Sequence, residues 1–136
     1  MADVAKARPS IAATGTPVAF VHMASPEEAD PWFARAGLAD APRLSDPDGA
    51  LYREVGLGTV AAAALASPRL WARGFQCAIV EGHGFGVQTP QAIRQLPGVF
   101  LMEAGRILRA YRHTSPSDRP DYLSLCVPLV PETASP

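Results

Sequence analysis

The chain has 136 residues, of which 48% are apolar and 18% are charged, so it can bury the core of a single domain. Its net charge of −1 offers no basic field for nucleic acid or an anionic membrane. No apolar run approaches the ~20 residues of a membrane-spanning helix, and two cysteines are too few for a disulfide framework. These features predict a cytoplasmic domain with no nucleic-acid or membrane partner.

The N-terminal third predicts a helix, a strand and a second helix. Residues 2–13 favour a short helix that Pro9 interrupts. The apolar run Pro17–Met23 is typical of a strand buried on both faces. The stretch Ser25-Pro26-Glu27-Glu28 predicts a helix start, because its serine can cap the helix and its last glutamate can complete a capping box. Gly37 predicts the end of that helix.

The next stretch predicts a second strand and a short helix. Pro42-Arg43-Leu44 favours an extended segment. The aspartate and proline at positions 46 and 47 are typical of an N-cap followed by proline in the first helical turn. We therefore expect a helix over Gly49–Val55 that ends at Gly56.

The C-terminal part predicts a β-hairpin and a final helix. Val99–Met102 and Ile107–Tyr111 flank Glu103-Ala104-Gly105-Arg106, in which glycine can supply the positive φ of a tight turn. The final helix is expected to start near Ser117–Pro120 and to bury Tyr122, Leu123 and either Cys126 or Leu125. A parallel crossover followed by an antiparallel hairpin predicts an α/β domain with a mixed sheet and helices on both faces.

Three stretches, in this order and spacing, carry a family resemblance: Val18–His22 with Ser25–Ala29, then Leu44–Gly58, then Gln95–Leu101 with Gly105–Ile107 and Tyr111–His113. Together they resemble the peroxiredoxin-like branch of the alkyl hydroperoxide reductase/thiol-specific antioxidant (AhpC/TSA) family. The resemblance implies a thioredoxin-like mixed sheet with flanking helices. It also implies a thiol-dependent oxidoreductase that acts on peroxides or disulfides, uses no bound cofactor and is reset by a thiol reductant.

The resemblance further implies that the chain is truncated at its N-terminus. The family's nucleophilic cysteine, often paired as Cys-x-x-Cys, opens the first helix, where the helix N-terminus favours the thiolate. No cysteine precedes Cys77 here, and the central strand before that helix has no counterpart. We expect that Met1 is a late start; alternatively, Gln76–Val80 fills the strand position or a second chain supplies a strand.

Domain boundaries follow from the same resemblance. Residues 1–13 are interpreted as the remnant of the first helix, and residues 14–126 as the thioredoxin-like domain. Within that domain, residues 59–96 form a helical and glycine-rich insert. Residues 127–136, with three prolines, are predicted to be a tail.

The resemblance places Pro97 next to the active site. In thioredoxin-like folds, the proline just before the first strand of the hairpin usually has a cis peptide bond and lies against the redox-active thiol. Pro97 precedes Val99-Phe100-Leu101 at the matching position. The alternative is a trans proline that simply begins a strand, since most X-Pro bonds are trans.

The other candidate residues indicate structural roles. Cys77 and Cys126 are the only thiols, and neither lies at an evident helix N-terminus, so both are interpreted as unpaired structural cysteines. His22, His83 and His113 lack the spacing of metal ligands, and no metal site is predicted. His113 could face the active-site edge, but a solvated strand end is preferred. Four arginines are expected to keep an exposed strand edge soluble, namely Arg106, Arg109, Arg112 and Arg119.

Two functions remain open. The first is a cytoplasmic antioxidant thiol oxidoreductase domain that is inactive over these 136 residues, because the segment with the nucleophile is absent. The second is a non-catalytic thioredoxin-like module that binds a partner or a second copy of itself. Its interaction surface would be an exposed strand edge flanked by Phe20 and Val99.

Overall fold

The computed structural model describes residues 1–61, 68, 90–115 and 118–126. In chain order, its elements are α1 (Ala2–Ala13), β1 (Phe20–His22), α2 (Pro26–Arg35), β2 (Arg43–Ser45), α3 (Ala50–Glu54), α4 (Pro90–Arg94), β3 (Gly98–Glu103), β4 (Arg106–Arg112) and α5 (Tyr122–Cys126). Most of the predicted insert lies outside the described residues, as do Cys77, His83, Gln76–Val80 and the predicted tail. Across the described ranges, no helix has the length and hydropathy needed to cross a membrane.

Two pairs of strands carry the sheet structure. β1 and β2 are parallel, with Phe20 opposite Arg43. β3 and β4 form an antiparallel hairpin, with Gly98 opposite Arg112. Within the described residues, no ladder of hydrogen bonds joins the two pairs. The predicted α/β class, with both parallel and antiparallel pairing, is confirmed.

The capping box at the start of α2 is confirmed. The Glu28 N–H donates to Ser25 Oγ over 3.3 Å, and the Ser25 N–H donates to Glu28 Oε2 over 3.1 Å. On the buried side of α2, Phe33 is only 2% exposed and meets the ring of Phe20 edge-on, with 5.2 Å between ring centroids. The core beside β1 therefore lies against α2, and its buried members are Ala29, Phe33, Leu38 and Ala41.

β1 is buried on one face only. The rings of Phe20 and His22 both contact Phe33 of α2. Val21 and Leu44 are 44% and 54% exposed. The prediction of a strand buried on both faces is therefore wrong, because the hydropathy of a short run does not show which of its faces has a partner.

α1 continues through Pro9, so the predicted interruption is also wrong. A proline inside a helix costs about 3 kcal/mol, since it removes a hydrogen bond and clashes with the preceding turn. Contacts on both sides of Pro9 offset this cost. Arg8 forms a two-pronged ion pair with Asp40 at 2.8 and 2.7 Å, and Ile11 is buried at 3% exposure.

The turn of the hairpin has positive φ at two residues, Ala104 (49°) and Gly105 (77°). The prediction for glycine is confirmed, and a two-residue hairpin turn of this kind requires the same of the residue before it. Ala104 thus adopts a conformation that its side chain disfavours, because the twist of the flanking strands demands it.

α5 begins later than predicted. Its first residue is Tyr122, not one near Ser117–Pro120. Asp121 sets the start, since its Oδ1 accepts hydrogen bonds from the N–H groups of Leu123 and Ser124. The predicted burial of Leu123 is wrong, as this side chain is 41% exposed.

Asp46 organises the segment after β2. Its carboxylate is 8% exposed and accepts the N–H of Ala50 at 3.0 Å and that of Leu51 at 2.9 Å. Asp46 thus caps the first N–H groups of α3, but the N-cap position is Gly49, with a positive φ of 64°, and the first helical residue is Ala50. The prediction that Pro47 lies in the first helical turn is wrong, because Pro47 belongs to the turn that precedes α3. Gly56, with φ of 73°, follows the end of α3 as predicted.

We predict that Asp46→Ala lowers the free energy of unfolding by about 1–2 kcal/mol, because two N–H groups of α3 lose their acceptor. Urea unfolding measures the change. Asp48→Ala is the matched control, since Asp48 is exposed and accepts hydrogen bonds from Arg53 and Gln91 through its main-chain carbonyl. An equal loss in both variants would contradict a specific cap at Asp46.

Candidate functional site

The carboxyl ends of β1 and β2 form one edge of the molecule, the position at which α/β proteins usually bind ligands. Ala24 lies just beyond β1, and its carbonyl accepts two side-chain hydrogen bonds there, one from Ser45 Oγ at 2.6 Å and one from His22 Nδ1 at 2.9 Å. Because a carbonyl only accepts, His22 Nδ1 carries a proton. The position of that ring is therefore fixed by both its hydrogen bond and its contact with Phe33.

Tyr52 of α3 contacts the edge of β1 that faces away from β2. Its hydroxyl donates to the carbonyl of Val21 over 2.8 Å. Phe20 N–H and His22 C=O bond toward the β2 side, so the carbonyl of Val21 points to the opposite edge. Burial raises the pKa of the Tyr52 phenol, and the charge of Asp46 raises it further. Tyr52 therefore remains a hydrogen-bond donor at neutral pH.

The segment after α3 is hydrogen-bonded to the residue that precedes Pro97. The Leu96 N–H donates to the carbonyl of Gly58 over 3.0 Å. At the start of β3, a Cβ on Gly98 would lie 2.5 Å from Leu57 Cδ2 and 2.9 Å from the ring of Phe100. Any larger residue at this position would force the Leu57 and Phe100 side chains to move.

Pro97 is exposed, and its peptide bond with Leu96 is trans. Of the predicted cis and trans alternatives, the structure therefore has the trans proline. The carbonyl of Pro97 accepts the N–H of His113 over 3.1 Å, which extends the pairing of β3 and β4 by one bond. The role of Pro97 beside a redox-active thiol stays a prediction.

The two predicted thiols are not brought together in the described part of the chain. Cys126 is a free, half-buried cysteine at the last residue of α5. Cys77 lies outside the described residues. The structural roles of both cysteines stay predictions. In the described ranges, no group of three histidine, cysteine or acidic residues is placed to hold a metal ion.

His113 lies at the Pro97 edge and is not a solvated strand end. Its Nδ1 is buried and has no hydrogen-bond partner in the described part of the chain, and its ring meets the ring of Tyr111 edge-on at 5.3 Å between centroids. The preferred prediction, that His113 is a solvated strand end, is therefore wrong for Nδ1. A pattern at the end of a strand does not show whether other parts of the chain cover a ring there.

Asp118 holds the loop that follows β4. Its Oδ2 accepts the N–H of Thr114 at 2.7 Å, the N–H of Ser115 at 3.1 Å and the hydroxyl of Thr114 at 3.2 Å. The pKa of Asp118 lies below its ordinary value, first because of the Thr114 N–H, with smaller contributions from Ser115, the Thr114 hydroxyl and the charge of His113. The loop beside His113 is thus fixed by an ionised carboxylate.

Three of the four C-terminal arginines make specific contacts that the sequence analysis missed. Arg109 Nη1 donates to the carbonyl of Ser124, Arg112 Nε donates to the carbonyl of Val55 over 2.8 Å, and Arg119 pairs with Asp3 at 3.0 Å. The prediction that these arginines only keep a strand edge soluble is therefore incomplete, and Arg119 lies beyond the end of β4. Partners this distant in the sequence leave no local pattern.

Comparison with known proteins gives one informative result. A family model described as AhpC/TSA antioxidant enzyme matches residues 3–115. No curated protein and no solved structure gives a significant match. The matched range includes all four strands, Pro97 and His113.

We predict that Gly98→Ala destabilises the fold by about 1–3 kcal/mol, because the new methyl group overlaps Leu57 and Phe100. Chemical unfolding measures the loss. Gly58→Ala is the control, since a Cβ there would lie 3.9 Å from Leu96 and needs no rearrangement. In the double variant with Leu57→Ala, the added cost of Gly98→Ala should shrink; a strictly additive result would show that the overlap is not its cause.

We predict that acid releases the loop held by Asp118. Because the pKa of Asp118 is lowered in the folded state, its contribution is present above the ordinary pKa and is lost as pH falls through the folded value. The backbone amide signals of Thr114 and Ser115 should shift in that acidic range. Asp118→Asn should produce the shifted positions already at neutral pH. Asp121→Asn, which alters the start of α5, should leave both signals in place.

Proposed function

Because the chain belongs to the AhpC/TSA antioxidant enzyme family, we propose that it is the thioredoxin-like domain of a cytoplasmic thiol oxidoreductase that acts on peroxides or disulfides. The observation that carries the proposal is the position of Pro97. This proline lies just before β3, at an exposed edge and at the position that the resemblance assigns to it, although its peptide bond is trans. Small peroxides and disulfides can reach such an open edge.

The proposed chemistry needs two thiols and no bound cofactor. A thiolate attacks the O–O bond of the peroxide, which leaves a sulfenic acid and releases water or an alcohol. A second thiol then condenses with the sulfenic acid to form a disulfide and water, and a thiol reductant restores both groups by exchange. In disulfide reduction, the first thiolate attacks a sulfur atom of the substrate instead.

We further propose that residues 1–136 alone lack fast peroxidase turnover. Cys126 is half-buried at the last residue of α5, whereas activated thiols of this kind lie at helix N-termini or beside fixed cations. Cys77 follows no N-cap signal in the sequence. Cys126 therefore lacks the surroundings of an activated nucleophile, and the sequence around Cys77 gives no sign of one.

A second function is favoured by the outer face of β1. Val21 and Leu44 expose apolar side chains on this face, and the carbonyl of Val21 is bound by a tyrosine side chain rather than by a strand. Exposed strand edges pair readily with other chains. In this alternative, the protein is a non-catalytic module that pairs with a second copy of itself.

The test is a peroxide assay with dimedone, which traps sulfenic acids, followed by mass spectrometry of every cysteine. For the protein isolated from its own cells, we expect thiol-dependent consumption of hydrogen peroxide and a labelled cysteine other than Cys77 and Cys126. Residues 1–136 alone should reduce peroxide no faster than a free thiol. Fast, saturable turnover that Cys77→Ser abolishes would contradict this assignment of the nucleophile, and the absence of any reactive cysteine would contradict the enzymatic function.

Light scattering on the same preparations distinguishes the alternative. A dimer that Val21→Lys converts to a monomer would favour the binding module, because the lysine charge would block pairing at the β1 edge. A monomer at all concentrations would contradict it.

A further inference from the structure

The guanidinium group of Arg112 is held in one position by two contacts. Its Nε donates to the carbonyl of Val55, just after α3, over 2.8 Å. Its planar group lies over the ring of Phe100, 5.3 Å from the centroid. A hydrogen bond and a cation–π contact together order a side chain that is otherwise among the most flexible.

The two terminal nitrogens of Arg112 have no hydrogen bond or ion pair within the described residues. Arg8, Arg43 and Arg119 each pair with a carboxylate there, whereas Arg94, like Arg112, binds a main-chain carbonyl through Nε. The ring contact with Phe100 distinguishes Arg112 from Arg94. A purely structural explanation is that Arg112 binds the carbonyl at the C-terminal end of α3, as basic side chains often do. This explanation accounts for Nε alone and leaves Nη1 and Nη2, a ready-made fork of donors, without a function.

The position of Arg112 ties this fork to the candidate site. Arg112 lies opposite Gly98 in the hairpin, and the next residue, His113, bonds to the carbonyl of Pro97. Arg112 is exposed, and its neighbour Gly56 has no side chain that could cover it; a Cβ there would lie 3.6 Å from Arg112 Nε. The donors are therefore open to solvent at the edge where Pro97 lies.

We propose that Arg112 binds a carboxylate group of the substrate, a small disulfide or peroxide that carries one. The inference rests on the proposed function, which places disulfide or peroxide chemistry at Pro97. A carboxylate presents two coplanar oxygens that match the Nη1–Nη2 fork, and charge-assisted pairs of this geometry are stronger than neutral hydrogen bonds. Because Val55 and Phe100 fix the guanidinium beforehand, little conformational entropy is lost on binding.

The test uses thiodipropionate, an unreactive thioether analogue of a dicarboxylate disulfide, and its neutral diamide as the control ligand. Calorimetric titration of the wild-type chain should show binding of the dicarboxylate and none of the diamide. Arg112→Gln should weaken binding about tenfold. Arg112→Lys should recover part of that loss, because lysine keeps the charge but not the fork. Arg106→Gln, which removes the same charge at the far end of β4, should bind as the wild type does.

Three results would overturn the proposal: equal weakening by Arg106→Gln and Arg112→Gln, equal binding of the dicarboxylate and the diamide, or no binding by the wild type. A second measurement protects the test if Arg112→Gln does not fold. In the wild type, the side-chain Nε–H resonance of Arg112 should shift on addition of thiodipropionate, and that of Arg106 should not. Binding is read without any redox turnover, so a failed peroxide assay and a failed carboxylate site are separate outcomes.

Discussion

The carboxylate of Asp46 is the constraint on which the candidate site depends. It accepts two N–H groups at the start of α3 and so fixes where this short helix begins. A helix of five residues has little stability of its own. From that fixed start, Tyr52 reaches the carbonyl of Val21 on the β1 edge, and the carbonyl of Val55 at the other end receives Arg112 from β4. One buried acid thus sets the relation of α3 to both strand pairs.

The opposite side of the site depends on the absence of a side chain. Gly98 lets Leu57 pack directly on the first residue of β3. With that approach in place, the Leu96 N–H bonds to Gly58, and Pro97 follows in an exposed position. Pro97 is therefore positioned by the hydrogen bond between Leu96 and Gly58 and by the close contact of Leu57 with Gly98 at the start of β3. Neither contact involves Pro97 itself.

The sequence predicts local features well, such as caps and turns, and it misses contacts between residues that are distant in the chain. The capping box at Ser25 and the glycine turns at positions 56 and 105 need only neighbouring residues, and all three are confirmed. The exposure of Val21 and the bond between Arg112 and Val55 depend on residues distant in the chain; Arg112 and Val55 are 57 positions apart. The family resemblance rests on several short motifs that follow one another in the expected order, and the family model matches residues 3–115. The contacts of Arg112 have no such motif.

Stability alone does not explain the groups that surround Pro97. A buried polar atom without a partner costs about 1–3 kcal/mol, and among the described residues His113 Nδ1 is such an atom. Arg112 uses only Nε for its bond to Val55, and its solvent-exposed terminal nitrogens bind no residue of the described ranges. Natural proteins concentrate departures from local satisfaction at sites that act on ligands. The unpartnered nitrogen of His113 and the open donors of the adjacent Arg112, both beside the start of β3, are the physical reason for locating function at this edge rather than on the outer face of β1.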